Sequence, residues 1–135
     1  MHLMYFTEQP MSAYPEDAVG DDGVTALMFS NKNFDAVAGS RLYNERLLEY
    51  QLAEDVGFDG IMLNEHHATA TCMAANVSIT AATLVRRTKR AKLLVLGFPL
   101  AHRSPIQVAE DAAMLDVMSG GRLLAGFVRG VGTEV

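Results

Sequence analysis

The chain has 135 residues, half of them apolar and a fifth charged, with a formal net charge of −5 and a pI near 5.2. That length accommodates one domain with a real core, and an acidic balance without a basic tract argues against nucleic acid or an anionic membrane as partner. A lone cysteine, Cys72, excludes an internal disulfide and suits a reducing cytoplasm.

Residues 1–11 carry neither the charged nor the apolar region of a signal peptide. Within them, residues 2–7 (HLMYFT) predict a first strand. A long polar region follows over residues 8–39, with one apolar island at residues 24–29. A structureless loop of that length is uncommon inside a compact domain, so it predicts an insertion that serves as a lid over a pocket. Ser40 reads as the N-cap of a helix running to about Val56. Leu48, Leu52 and Val56 recur every fourth residue, and Leu42 and Ala53 widen that stripe. Gly57 then supplies a left-handed stop. Residues 60–63 (GIML) predict a buried second strand that ends abruptly in Asn64, Glu65, His66 and His67. Residues 74–87 predict a second helix with Val77, Ala81, Leu84 and Val85 on its buried side. Arg86, Arg87, Lys89 and Arg90 close it, where cations complement the negative end of the helix dipole.

Residues 93–97 (LLVLG) predict a third strand covered on both faces. The apolar run that contains them is too short, and too interrupted by Gly97 and Pro99, to span a membrane. Ser104, Pro105 and Gln107 open a third helix as N-cap, first-turn proline and capping-box partner. Ile106, Ala109, Ala113 and Val117 form its expected buried stripe, and Gly120 and Gly121 end it. Residues 123–128 predict a fourth strand. This alternation demands right-handed crossovers and a parallel sheet, which doubly wound and barrel forms both satisfy. Thr7, Glu8, Gln9 and Pro10 bear no likeness to a GxGxxG turn, which weakens a dinucleotide-binding reading.

In a parallel sheet, ligands bind beyond the carboxyl ends of the strands. Four post-strand segments meet there: Thr7-Glu8, Asn64-Glu65-His66-His67, Gly97-Phe98-Pro99 and Arg129-Gly130-Val131-Gly132. Together they could hold a flat anionic ligand. Each also has a plainer reading. The histidines can be solvated, Arg129 can pair with a carboxylate, and Phe98-Pro99 can be a packed kink. Cys72 can be buried and inert instead of a thiolate nucleophile. Adjacent histidines on an extended chain point to opposite sides, which disfavours a shared metal.

The segments GFDGIMLNEHH (residues 57–67) and HRSPIQVAEDAAMLDVMSGGRLLAGFVRG (residues 102–130) resemble the bacterial luciferase-like family of flavin-dependent monooxygenases. The resemblance implies an α/β fold, a (β/α)8 TIM barrel. Residues 1–135 would be its N-terminal half, with four parallel strands, three helices and the long insertion at about 8–39. Such barrels need about 250 residues. The family also implies reduced FMN, supplied from NAD(P)H directly or through a flavin reductase, acting with O2 on a small organic substrate. On this resemblance His66 is catalytic, with His67 and Glu65 orienting it. Asn64, Gly97, Phe98, Val128, Arg129 and Gly130 contact the flavin, and no metal is expected. A half barrel would leave its outer strands and apolar faces uncovered, so a homodimer or other self-association is expected. Two rivals stay open: a metal-dependent hydrolase with His66, His67 and Glu65 as ligands, and a non-catalytic flavin-binding relative or inactive fragment.

Overall fold

Short apolar runs, too brief to be stable alone, pair here as strands β1 (Met4–Phe6), β2 (Gly60–Leu63), β3 (Lys92–Pro99) and β4 (Leu123–Val128). The computed structural model describes residues 1–14 and 30–130. All three pairings are parallel, and the order is β1-β2-β3-β4. Helices α1 (Ala36–Asp55), α2 (Val77–Arg87) and α3 (Pro105–Ser119) make the crossovers. Because every crossover steps in the same direction, and such connections are right-handed, all three helices fall on one face. A doubly wound sheet would reverse direction at a switch point. Of the two forms open to the sequence, this is the arrangement of part of a (β/α)8 barrel.

The register defines the two faces. Tyr5, Ile61, Leu93 and Leu123 align across the strands on the helix side. There they join Tyr50, Leu63, Val77, Leu84, Val95 and Leu115 in the main core. Phe6, Met62, Leu94 and Leu124 align on the opposite face, where Phe6 and Leu124 are exposed.

Several boundaries differ from expectation, each for a local reason. Helix α1 starts at Ala36 and not at Ser40, because the Asp35 carboxylate accepts from the Val37 and Ala38 amides at 2.8 and 3.0 Å. Gly39, expected to close the polar region, therefore lies inside the helix. Helix α2 starts at Val77, where the Asn76 side chain caps Ser78 and Ile79. In α3, Pro105 sits in the first turn, but the Ser104 side chain makes no capping bond, so the expected capping box does not form. The Val77, Ala81, Leu84 and Val85 stripe of α2 is buried as expected. Of the stripe assigned to α1, Leu42 and Ala53 are buried as expected but Leu48, Leu52 and Val56 are exposed, and Tyr50 is buried instead. In α3, Ile106 and Val117 are exposed, and Val108 and Leu115 are buried instead. Gly57 takes φ 101° as its stop role requires. The expected lid falls largely on residues 15–29, outside the described residues. Among the described residues no helix is long and apolar enough to cross a membrane.

Candidate active site

Strand β2 delivers Asn64, Glu65, His66 and His67 at its carboxyl end, and each side chain has a distinct environment. Glu65 is turned inward, with its side chain 1% exposed. One carboxylate oxygen accepts from the Val77 amide at 2.7 Å, at the positive end of α2. The other lies 3.1 Å from His67 Nε2. Glu65 thus ties the loop to the helix and fixes one imidazole. The His67 ring also meets His102 edge-on, with centroids 5.3 Å apart. His66 Nε2 stands 3.7 Å from a carboxylate oxygen of Glu8, and the same oxygen accepts from Asn64 Nδ2. Asn64 Oδ1 in turn accepts weakly from the Cys72 thiol at 3.8 Å.

Backbone strain flanks this cluster on both sides. Gln9 and Ala68 hold φ values of 54° and 53°, a left-handed region that costs a residue with a Cβ about 1–2 kcal/mol. Each is held by neighbours: the Gln9 carbonyl accepts from Met73 at 3.0 Å, and the Ala68 carbonyl from Asn31 at 3.3 Å. Tyr43 donates its hydroxyl to the Met73 carbonyl. Burial first, then the nearby Cys72, pushes that hydroxyl's pKa up, so it remains a donor.

Strand β3 carries an irregularity where it meets the site. Val95 pairs with Ala125 and Phe98 with Phe127, so β3 spends three residues where β4 spends two. This bulge turns the Phe98 ring into the core, where it is fully buried. Gly97 sits in the bulge under Val128, and a Cβ there would approach Val128 Cγ1 to 2.2 Å. Only glycine permits that approach without moving β4.

Two adjoining clefts cover the strand ends. One, of about 350 Å³, is lined by Glu65, His66, His67, Pro99, Val128, Arg129 and Gly130. The other, of about 230 Å³, is lined by Phe6, Glu8, Asn64, Glu65, His66, Leu96, Gly97 and Val128. They share Glu65, His66 and Val128, which makes them one continuous groove across the sheet. Among the described residues no group of three or more His, Cys, Asp or Glu side chains is placed to hold a metal ion.

The model of the luciferase-like monooxygenase family matches residues 27–135. The chain belongs to that family. The oxygenase component of the flavin-dependent trigonelline monooxygenase of Acinetobacter baylyi is 36% identical over 90 residues, covering 67% of this chain and 25% of that protein. The alkanal monooxygenase alpha chain of Aliivibrio fischeri is 38% identical over 76 residues, covering 56% and 22%. The chain thus spans about a quarter of the length of the curated relatives it matches. Among solved structures, the oxygenating constituent of the 3,6-diketocamphane monooxygenase of Pseudomonas putida, in complex with FMN, superposes with a TM-score of 0.68. Its identity is 19%, and the match covers 98% of this chain and 30% of that one. The monooxygenase RslO1 of Streptomyces bottropensis gives a TM-score of 0.69 at 22% identity, covering 94% and 32%. These structural likenesses carry the barrel fold.

In this luciferase-like chain the groove gathers eight of the nine site residues expected from the sequence: Asn64, Glu65, His66, His67, Gly97, Val128, Arg129 and Gly130. Phe98 is the exception, since its ring lies in the core and it can offer the groove only its main chain. Glu8, read from the sequence only as part of a converging segment, stands at the centre of the polar network. Its contacts with Asn64 and His66 span 56 and 58 positions of chain, so no local spacing could reveal them.

Proposed function

We propose that the groove is the flavin site of a monooxygenase that uses reduced FMN and O2 to oxygenate a small organic substrate. The observation that carries this reading is the convergence of the β2, β3 and β4 ends into one groove with His66 at its junction. The donor set suits FMN. Apolar walls from Leu96, Pro99 and Val128 accept a flat ring, and Arg129 beside the left-handed Gly130 offers a guanidinium and a main-chain amide to an anionic tail. When bound, reduced FMN supplies the electrons that activate O2. His66 is proposed as the catalytic group, holding a proton or hydrogen bond toward the reacting oxygen from its position between Glu8 and the groove. Glu65 and His67 orient it by pinning the loop to α2. Asn64, Gly97, the Phe98 main chain, Val128, Arg129 and Gly130 hold the cofactor. The Acinetobacter relative is named as an oxygenase component, which supports a separate flavin reductase as the source of reduced FMN.

The test is a fluorescence titration of FMN into the 135-residue chain, with Arg129→Ala and His66→Ala beside it. Arg129→Ala is expected to weaken binding about tenfold or more, the loss of a charge-assisted hydrogen bond. His66→Ala is expected to bind FMN within a few-fold but lose oxygenation of substrate by roughly 10²-fold or more. FMN affinity that ignores Arg129, or binding that maps away from the groove, would remove this reading.

A further inference from the structure

A third cleft, of about 200 Å³, shares only His66 with the flavin groove. Phe34 and Tyr43 form its aromatic side, Met73 its floor, and Asn31 and Thr69 its polar side. These walls are set in place by the fold. Ser30 bridges Thr69 in antiparallel fashion, and the Asn31 amide donates to the Ala68 carbonyl at 3.3 Å. The two segments that flank the cleft are therefore tied to each other. Tyr43 is fixed through its bond to the Met73 carbonyl, and Met73 is itself buried against Leu42 and Met11. The Phe34 ring rests on Gly39, where a Cβ would stand 2.3 Å from Cζ. A glycine inside a helix is locally unfavourable, and here it makes room for that ring.

The lining differs in charge from the flavin groove. Both parts of the groove contain a glutamate, and one contains Arg129. Among the described residues the third cleft is lined by no Asp, Glu, Lys or Arg. A charged ligand there would lose water without gaining a carboxylate, ammonium or guanidinium partner from these residues, which is costly. The cleft is also smaller than the roughly 300–1,000 Å³ of sites for drug-sized molecules, which limits it to a single ring.

We infer that this cleft is the substrate subsite, and that it takes an uncharged single-ring organic molecule held between Phe34, Tyr43 and Met73. Its designation as the substrate subsite rests on the flavin reading of the neighbouring groove, from which His66 alone separates it. The binding itself does not, so it is tested without flavin. p-Cresol is titrated into the chain with isotope-labelled methionine and alanine methyl groups, followed by NMR, with benzoate as the charged comparator. The expected result is saturable shifts of the Met73, Ala68 and Ala75 methyls with p-cresol and none with benzoate. Phe34→Ala, at a half-exposed position that the fold tolerates, is expected to weaken p-cresol about tenfold through loss of the aromatic wall. No shift of these methyls, equal shifts with benzoate, or affinity unchanged in Phe34→Ala would overturn the proposal. A separate FMN titration keeps the two readings apart. p-Cresol binding without FMN binding sinks the flavin site and spares this cleft, and the reverse sinks the cleft alone.

Discussion

Arg122 shows how much one side chain of the SGGR segment contributes to the scaffold beneath the site. It is 8% exposed. Its guanidinium donates to the Ser119 carbonyl at 2.9 Å, to Thr88 Oγ1 at 2.8 Å and to the Ala91 carbonyl at 2.9 Å. It also reaches the Val85 and Thr88 carbonyls at 3.2 Å each. These acceptors belong to the end of α2, the approach to β3 and the end of α3, so one planar fork joins three connections. Lysine keeps the charge but cannot present five donors in that geometry. Arg122→Lys is therefore expected to cost about 3 kcal/mol, because buried acceptors left unpaired cost about 1–3 kcal/mol each. Urea denaturation followed by circular dichroism measures it. A loss below about 1 kcal/mol would mean that water replaces the fork.

At the scale of elements, Glu54 near the end of α1 performs a similar service for β3. Its carboxylate accepts from the amides of Lys89 at 2.9 Å, Arg90 at 2.7 Å and Ala91 at 2.5 Å. Burial pushes this carboxyl's pKa up, but the three amides, with the Arg90 charge, outweigh it and hold the group below the ordinary glutamate value. A depressed folded-state pKa means that the stabilisation is fully present above the unfolded value, about 4.3, and is lost as pH falls through the folded value. Glu54→Gln should then cost about 1–2 kcal/mol at pH 7. It should also flatten the fall in melting temperature between about pH 5 and 3, a window set by the lowered carboxyl. A wild-type acid limb as steep in the variant as in the parent would show that other carboxylates control it. Helix α2 is anchored from the site side in the same manner, by Glu65 at its first amide.

At the scale of the whole molecule, the helices cover only one face of the sheet. The opposite row of Phe6, Met62, Leu94 and Leu124 is continuous across four strands, and Val128 extends the exposed apolar surface along β4. Among the described residues β1 and β4 are the outer strands, with one edge each unpaired. Contiguous apolar surface of this kind drives association. The 135-residue chain is expected to self-associate at micromolar concentration, and Leu124→Lys to shift it toward monomer, both read by light scattering. A monodisperse parent chain that melts cooperatively would contradict this.

The sequence by itself determined the strand-helix alternation, the parallel sheet and the arrival of Asn64–His67 at a strand end. It did so because β2 and β4 are short apolar runs bounded by polar residues or glycine, and α2 carries a one-sided stripe of the helical period. It also carried the family, through two segments dense in recognisable residues. The burial phase of α1 and α3 was not legible, because both helices bear apolar residues on more than one side and only packing against the sheet selects between them. The alternation of elements left barrel and doubly wound orders open; the resemblance implied the barrel, and the strand order bears it out. Tertiary structure alone turned Phe98 into the core through a bulge, and it alone brought Glu8 against His66. Those outcomes depend on contacts between residues far apart in the chain, which no local period or spacing encodes.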